Sequence, residues 1–250
     1  MNWSDVGRLL SPDEIMRKYG EGWAVAAFFV YCAIFGVVFI GVVLKIAKWT
    51  HERRSARRQS WGARYGLRLL DTRDRRRGLV DCVETDVGTA VLADYPYVNV
   101  FRQRMAMAMH ILEGVIDNLP TRVFESRYIT GRGKHTVEHH FSVVAFDFGR
   151  VMPYTALRRH SWRDGLTRDD VQSGRTELDR QFYIWADDWR LLSTQLPADV
   201  ERIFLQSRLF EFILADDKLV VLARGRLKDE GYDRLLADAR RLASWVANVR

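Results

Sequence analysis

The sequence predicts an α+β domain preceded by one N-terminal transmembrane helix. Three features predict it: an uncharged apolar run near the N-terminus, a middle section where β-branched and aromatic stretches alternate with turn residues, and a last section with helical periodicity. Strands in hairpin order followed by late helices favour one mainly antiparallel sheet. The chain has 250 residues, 48% of them hydrophobic, which is ample material for a core.

Residues 1–22 are predicted to form an extracytoplasmic tail that contains a short helix. In the stretch "SPDEIM", Ser11 can cap a helix, Pro12 suits the first helical position, and Glu14 has the spacing of a capping box. Two glycines then separate this helix from the apolar run. The small size of this segment favours a role in anchoring over a function of its own.

The apolar run from residue 23 to residue 44 is predicted to cross the membrane. Its 22 apolar or small residues match the roughly 20 that a spanning helix needs. Trp23 and Trp49 are predicted to lie in the two membrane interfaces, about 39 Å apart at about 1.5 Å per residue. A signal peptide is the competing interpretation, but its apolar core would be about 7 to 15 residues long and would follow a positive start. Here the run is longer and the positive charge comes after it.

The distribution of charge predicts the orientation. Residues 1–22 carry a net charge of −1 and residues 45–77 a net charge of +9. Because positive flanks remain in the cytoplasm, we expect the N-terminus outside and the domain at residues 78–250 in the cytoplasm, at the plasma (inner) membrane. That domain has a net charge of −1, so the basic character of the chain belongs to the juxtamembrane segment.

Residues 45–77 are predicted to be a flexible basic linker that lies against anionic lipid headgroups. Each basic residue close to such a surface contributes on the order of 1 kcal/mol. The residues predicted to contact headgroups are Lys45, Lys48, Arg53, Arg54, Arg57 and Arg58. Nucleic-acid binding by the same segment is the less favoured interpretation, because only Trp61 and Tyr65 are near for base stacking and because the segment adjoins the membrane.

The middle of the soluble part is predicted to be an antiparallel meander. "RMAMAMHILEGVI", "TRVFESRYIT" and "HTVEHHFSVVAFDF" have strand character, and the turns "DNLP" and "GRGK" separate them. "YTALRRHS" and "TELDRQFYIWAD" are predicted to be two further strands around the polar loop "WRDGLTRDDVQSGR".

The last third is predicted to contain two short helical pieces, a hairpin and a terminal helix. Pro197 divides "DDWRLLSTQLPADVERIFLQ" into the two pieces. In "LFEFILADDKLVVLARG", the polar Asp216 and Asp217 are predicted to form a turn between two apolar arms. The terminal helix has one apolar stripe that should cover the sheet. Its residues are Tyr232, Leu235, Leu236, Ala239, Leu242, Ala243 and Val246.

A match to a zinc-protease motif occurs in the middle of the chain. His135, Glu138 and His139 have the H-x-x-E-H order, which binds one metal when a helix places both histidines on one face. In a strand the two histidines would stand roughly 13 Å apart at about 3.3 Å per residue, too far for one zinc ion. The apolar residues that follow His140 favour a strand, so no metal site is predicted, and a metal-dependent hydrolase stays the alternative.

Other chemical motifs fail on spacing. "GRGKHT" lacks the first glycine and the Ser or Thr of a phosphate-binding loop, and the chain has no G-x-S-x-G elbow and no C-x-x-C pair. The acidic pairs, such as Asp169 with Asp170, fall in predicted turns. We therefore predict no catalytic residue and no cofactor.

Four stretches of the soluble part resemble a large family of uncharacterised, mainly actinobacterial single-pass membrane-anchored proteins. They are "HILEGVIDNLPTRVFESRYIT", "HFSVVAF", "TELDRQFYIWADD", and "LFEFILADDKLVVLARG" with the terminal helix. The resemblance implies a membrane-tethered α+β domain of unknown activity and transfers no catalytic residue.

Together these features favour a cytoplasmic interaction or scaffold domain over an enzyme. The expected partners are an anionic lipid bilayer and another protein of a membrane assembly. A membrane-tethered metal-dependent hydrolase and a membrane-tethered nucleic-acid binder are the alternatives.

Overall fold

A computed structural model of the chain describes residues 21–70, 86–103, 105–131, 135–160, 173–188 and 190–248. Within them the chain forms two compact units, which divide between Ala56 and Arg57. The short helix predicted near Ser11, most of the predicted "GRGK" turn and most of the predicted polar loop after His160 lie outside the described residues.

The first unit consists of most of helix α1, which spans Glu21–Ala63. Large apolar side chains from Phe28 to Ile46 are 45–72% exposed. Of the described helices, α1 is the one that is long and apolar enough to cross a membrane. The predicted apolar helix is therefore confirmed as a helix. It continues through residues predicted as a flexible linker, because lysine, arginine, glutamine and alanine favour helix.

The second unit is built on a six-stranded antiparallel sheet. Its strands are β1 Arg68–Leu69, β2 Met107–Ile116, β3 Leu119–Thr130, β4 Val137–Arg159, β5 Phe182–Ala186 and β6 Leu209–Arg224. They pair in the order β1-β2-β3-β4-β5, and β6 also pairs with β4. The long strand β4 is therefore central: one side pairs with β3 and then β5, and the other side pairs with β6 along most of its length.

Helices cover both faces of this sheet. They are α2 Asp86–Ala93, α3 Thr176–Gln181, α4 Arg190–Ser193, α5 Ala198–Gln206 and α6 Asp229–Asn248, with a 3-10 helix at Asn99–Arg102. Along β6, Phe212 and Leu214 pack with α5 and α6 on one face, and Ile213 and Ala215 share the other face with α2 and the 3-10 helix. The predicted α+β class is confirmed.

Several predicted elements are confirmed. Asp117 and Asn118 both have positive φ, 52° and 65°, as the two-residue turn between β2 and β3 requires. The two helical pieces around Pro197 form α4 and α5. The entire predicted apolar stripe of the terminal helix is buried in α6.

The hairpin predicted around Asp216 and Asp217 is wrong. Residues Leu209–Arg224 form the single strand β6, in which Asp216 has a φ of 51°. The pairing register with β4 is irregular at the same level, between Asp147 and Thr155. Both strands continue past this point, so the polar residues mark an irregularity in one long strand pair. Apolar arms buried on both faces look the same in sequence whether they pair with each other or with a third strand.

Two further predictions are corrected. The strands predicted in "HTVEHHFSVVAFDF" and "YTALRRHS" form one strand, β4, from Val137 to Arg159, instead of two. The stretch "TELDRQFYIWAD" begins as helix α3 and becomes strand β5 only at Phe182. Glu177 and Asp179 in the first turn favour a helix N-terminus, and the aromatic residues behind them had favoured strand for the whole stretch.

We expect Gly114→Ala to lower the free energy of unfolding by about 1 to 3 kcal/mol. A Cβ at this position of β2 would stand 2.8 Å from the carbonyl oxygen of Gly66 and 2.9 Å from the Leu67 side chain. Denaturant unfolding of the full chain in detergent micelles would measure the change. Val115→Ala is the control, because Val115 is 61% exposed and should change stability by less than about 0.5 kcal/mol. Equal effects of the two variants would contradict this close approach.

Candidate functional site

The H-x-x-E-H match does not assemble in the structure. Glu138 and His139 are successive residues of β4, and His135 precedes that strand. The Glu138 carboxylate accepts a hydrogen bond from Arg127 at 2.7 Å, and the His139 ring stacks on Tyr128 with centroids 4.7 Å apart. No group of three or more metal-ligand side chains occurs among the described residues. The strand predicted for this stretch is confirmed from Val137 onward.

The basic residues of α1 divide into two environments. Lys45, Lys48, Arg53 and Arg57 are exposed, and the Arg53 guanidinium lies 3.9 Å from the centroid of the Trp49 ring. Arg54 is half-buried. The side chain of Trp23 lies outside the described part of the chain, so its predicted interfacial position stays a prediction.

Arg58, predicted to contact lipid headgroups, has a different environment. Its side chain is 4% exposed, and its Nε and Nη2 atoms donate to Oε1 of Glu125 at 3.2 and 3.1 Å. Its Nη1 donates to Asp229 at 3.4 Å, and the guanidinium lies 3.9 Å from the centroid of the Tyr232 ring. A side chain enclosed in this way is not available to a headgroup, because its charge is already paired inside the second unit.

Two aromatic residues extend this cluster, which we call the Arg58 anchor. It consists of Arg58 and Trp61 of α1, Tyr65 in the turn after α1, and their partners Glu125, Asp229, Tyr232 and Asp233. The Trp61 indole N–H and the Tyr65 hydroxyl donate to Oδ1 of Asp233 at 2.8 and 2.7 Å. Trp61 is 1% exposed and packs against Tyr232, with the ring centroids 5.4 Å apart and the ring planes tilted by 56°. The end of α1 is therefore part of the core of the second unit.

The sequence interpretation missed this anchor, although a signal for it exists. Arg58, Trp61 and Tyr65 have a spacing of three and four residues, which is typical of one helix face, although α1 ends at Ala63 and Tyr65 lies in the following turn. The sequence interpretation considered Trp61 and Tyr65 only for base stacking and assigned Arg58 to the headgroups with the neighbouring basic residues.

A cavity of about 650 Å³ lies on the sheet face that α2 also covers. We call it the sheet cavity. Six charged residues line it: Arg68, Asp94, Glu113, Arg122, Asp147 and Lys218. Arg122 holds two of the carboxylates, since it donates to Glu113 at 2.6 Å and also pairs with Asp94. These pairings raise the pKa of Arg122 against the opposing effect of its burial, so it stays charged.

A buried carboxylate lies elsewhere on the sheet. Glu211 of β6 is 3% exposed and faces Arg158 across the strand pair. Its Oε2 atom has no hydrogen-bond partner among the described residues. Burial raises the pKa of Glu211 to about 7, against the lowering effect of the Arg158 charge.

The fold resembles one solved structure. A scan of protein-family models and a comparison with curated protein sequences both gave no match. Among solved structures, the chain is similar to the crystal structure of the mycobacterial trehalose monomycolate transport factor A, TtfA, with a TM-score of 0.50 and 11% identity. The likeness covers 76% of this chain and 93% of that one. It concerns the fold alone.

Proposed function

We propose that this protein is a membrane-anchored accessory factor whose folded domain binds another protein of a membrane assembly. The observation that carries the proposal is the position of the Arg58 anchor. The part of α1 in the first unit exposes a membrane-length apolar run, and the last residues of the same helix, Arg58 and Trp61 among them, are buried in the second unit.

The fold likeness supports the same proposal. TtfA is described as a transport factor for trehalose monomycolate. We propose that this chain, too, serves a transport assembly in the membrane.

Purification of the full chain from membranes in mild detergent tests the interaction. We expect a defined membrane protein to be retained by the full chain and lost from a control that comprises residues 1–56, because the control keeps the apolar helix and lacks the folded unit. Retention of the same proteins by both, or of none by the full chain, would contradict the proposal.

We further propose that the N-terminus is outside and that the domain is cytoplasmic, with the exposed and half-buried basic residues of α1 at the headgroups. Replacing five of these residues with glutamine lowers the net charge of residues 45–77 from +9 to +4. The five are Lys45, Lys48, Arg53, Arg54 and Arg57. We expect a fraction of this variant to insert in the inverted orientation, because the charge bias that fixes orientation is weaker.

Protease accessibility in intact cells measures this orientation. A control variant replaces five exposed arginines of the folded unit with glutamine and should insert as the wild type does. These are Arg190, Arg202, Arg208, Arg234 and Arg241. Digestion of the wild-type domain from outside intact cells would show that the proposed orientation is wrong.

A further inference from the structure

We propose that the sheet cavity binds an extended segment of a partner protein that carries one acidic and one basic side chain about four residues apart. This inference rests on the proposed function, since it names the chemistry by which the folded domain recognises its partner. The sheet cavity has a volume of about 650 Å³, within the usual range for ligand sites, about 300 to 1,000 Å³.

The sheet itself sets the positions of the charged groups. Arg68 on β1 and Glu113 on β2 are cross-strand partners, and Arg122 on β3 is the next residue in the same row. Asp147 on β4 and Lys218 on β6 form a second row, displaced toward one end of the sheet. The cavity therefore crosses the strands from β1 to β6.

Most of these charges are already paired within the protein. Arg122 is held by Asp94 and Glu113, and the ammonium of Lys218 donates to Asp217 at 2.6 Å. Because these side chains already have charged partners, they are less available to a ligand.

Two charged residues that line the cavity, Arg68 and Asp147, differ from the others. Within the described part of the chain, neither Arg68 nor Asp147 forms an ion pair. The Asp147 carboxylate accepts a local hydrogen bond from the backbone N–H of Gly149 at 2.9 Å and also interacts with the Asp217 and Lys218 side chains. Asp147 and Asp217 both lie close to Lys218, so this side of the cavity has two carboxylates and one ammonium. The β1 side thus offers a cation to an acidic group, and the β4 side offers an anion to a basic one.

The separation of these two charges fits an extended polypeptide. Three strand spacings of about 4.8 Å separate β1 from β4, and Asp147 is displaced by two residues, about 7 Å, along the strand from the row of Arg68. The two backbone positions are therefore about 16 Å apart, and the long side chain of Arg68 can span the last few ångströms. Two side chains four residues apart on an extended segment are about 13 Å apart and point to the same side. A single small ion would satisfy one of the two charges and leave the other.

An apolar contact is available at the mouth of the cavity. Val115 is 61% exposed there and is the cross-strand partner of Pro120. An apolar residue between the two charged ones of the partner segment would cover this pair. An apolar centre bounded by polar contacts is the usual composition of a protein interface.

Selection of random 12-residue peptides displayed on phage, on the full chain in detergent micelles, tests the proposal. We expect the wild type to enrich peptides with one acidic and one basic residue four positions apart. Arg68→Glu should enrich peptides with two basic residues, and Asp147→Lys should enrich peptides with two acidic ones. Each wild-type peptide should bind roughly tenfold more weakly to either variant, as the loss of one charge pair predicts.

Arg208→Glu is the matched control, because Arg208 is exposed and lies outside the cavity. It should select the wild-type peptides. The cavity proposal is overturned by enrichment of the same peptides on all four proteins, or by no enrichment on any of them. Retention of a membrane protein by the full chain in the purification above, unchanged in Arg68→Glu and Asp147→Lys, would remove the cavity proposal and leave the proposed function standing.

Discussion

Arg58→Ala is expected to lower the free energy of unfolding by about 3 to 5 kcal/mol, because it leaves a buried carboxylate without its counterion. The Glu125 side chain is 1% exposed, and its Oε1 atom accepts both hydrogen bonds from Arg58. The variant also loses the contact of the guanidinium with the Tyr232 ring. A loss of about 3 kcal/mol should lower the thermal midpoint by roughly 6 to 12 °C for a domain of this size.

The neighbouring arginine provides the control for this prediction. Arg57 is 68% exposed, and its nearest carboxylate, Asp229, is 3.9 Å away. Arg57→Ala should therefore change stability by at most about 0.5 kcal/mol. Similar losses from the two variants would mean that Arg58 acts as a surface charge.

A double variant separates the buried charge from the space it fills. Arg58→Met with Glu125→Leu replaces the ion pair with apolar side chains of similar volume, which often restores or exceeds the original stability. We expect the double variant to recover most of the loss seen in Arg58→Ala. No recovery would show that the hydrogen bonds of Arg58 to Leu227 and Asp229, which both variants lack, carry more of the stability than its bond to Glu125.

The sequence predicts this fold well where one element has one periodicity. The apolar run of α1 and the stripe of α6 can be identified without a partner, because each helix has a single pattern along its own length. The turn at Asp117 and Asn118 is equally local, since only a few residues tolerate positive φ.

Where the structure of a segment depends on which distant residues it pairs with, the sequence alone does not predict it. The two arms around Asp216 both have strand character, and only the length of β4 makes them one strand. Arg58 shows the same limit for the site. Its charge in an arginine-rich stretch predicts solvent or lipid, and its burial depends on Glu125, 67 residues later in the chain. Arg68 and Asp147 line the same cavity only because strands β1 to β4 pair in sequence order.

Glu211→Gln is expected to stabilise the protein by about 3 kcal/mol at pH 8 and to have little effect near pH 4.5. Burial raises the pKa of Glu211 to about 7 from an ordinary value of 4.5, and the charge of Arg158 opposes that rise. The phenols of Tyr128 and Tyr154 also lie near enough to interact with this carboxylate. Between the two pKa values the folded chain keeps the proton and the unfolded chain releases it. The stability that Glu211 contributes is thus complete below pH 4.5 and falls by up to about 1.4 kcal/mol per pH unit until pH 7.

Denaturant unfolding of the full chain at several pH values between 4.5 and 8 measures this dependence as the difference between wild type and variant. Glutamine keeps the shape of the side chain and cannot ionise, so the difference should grow with pH up to about 7 and then stay constant. Glu230→Gln, at an exposed position in the first turn of α6, should show no such growth. A constant difference for Glu211→Gln over the whole range would mean that Glu211 is ionised in the folded protein at every pH tested. Its unpartnered oxygen would then have to be reached by a cation or by water, and the sheet at β6 would be more open than its 3% exposure implies.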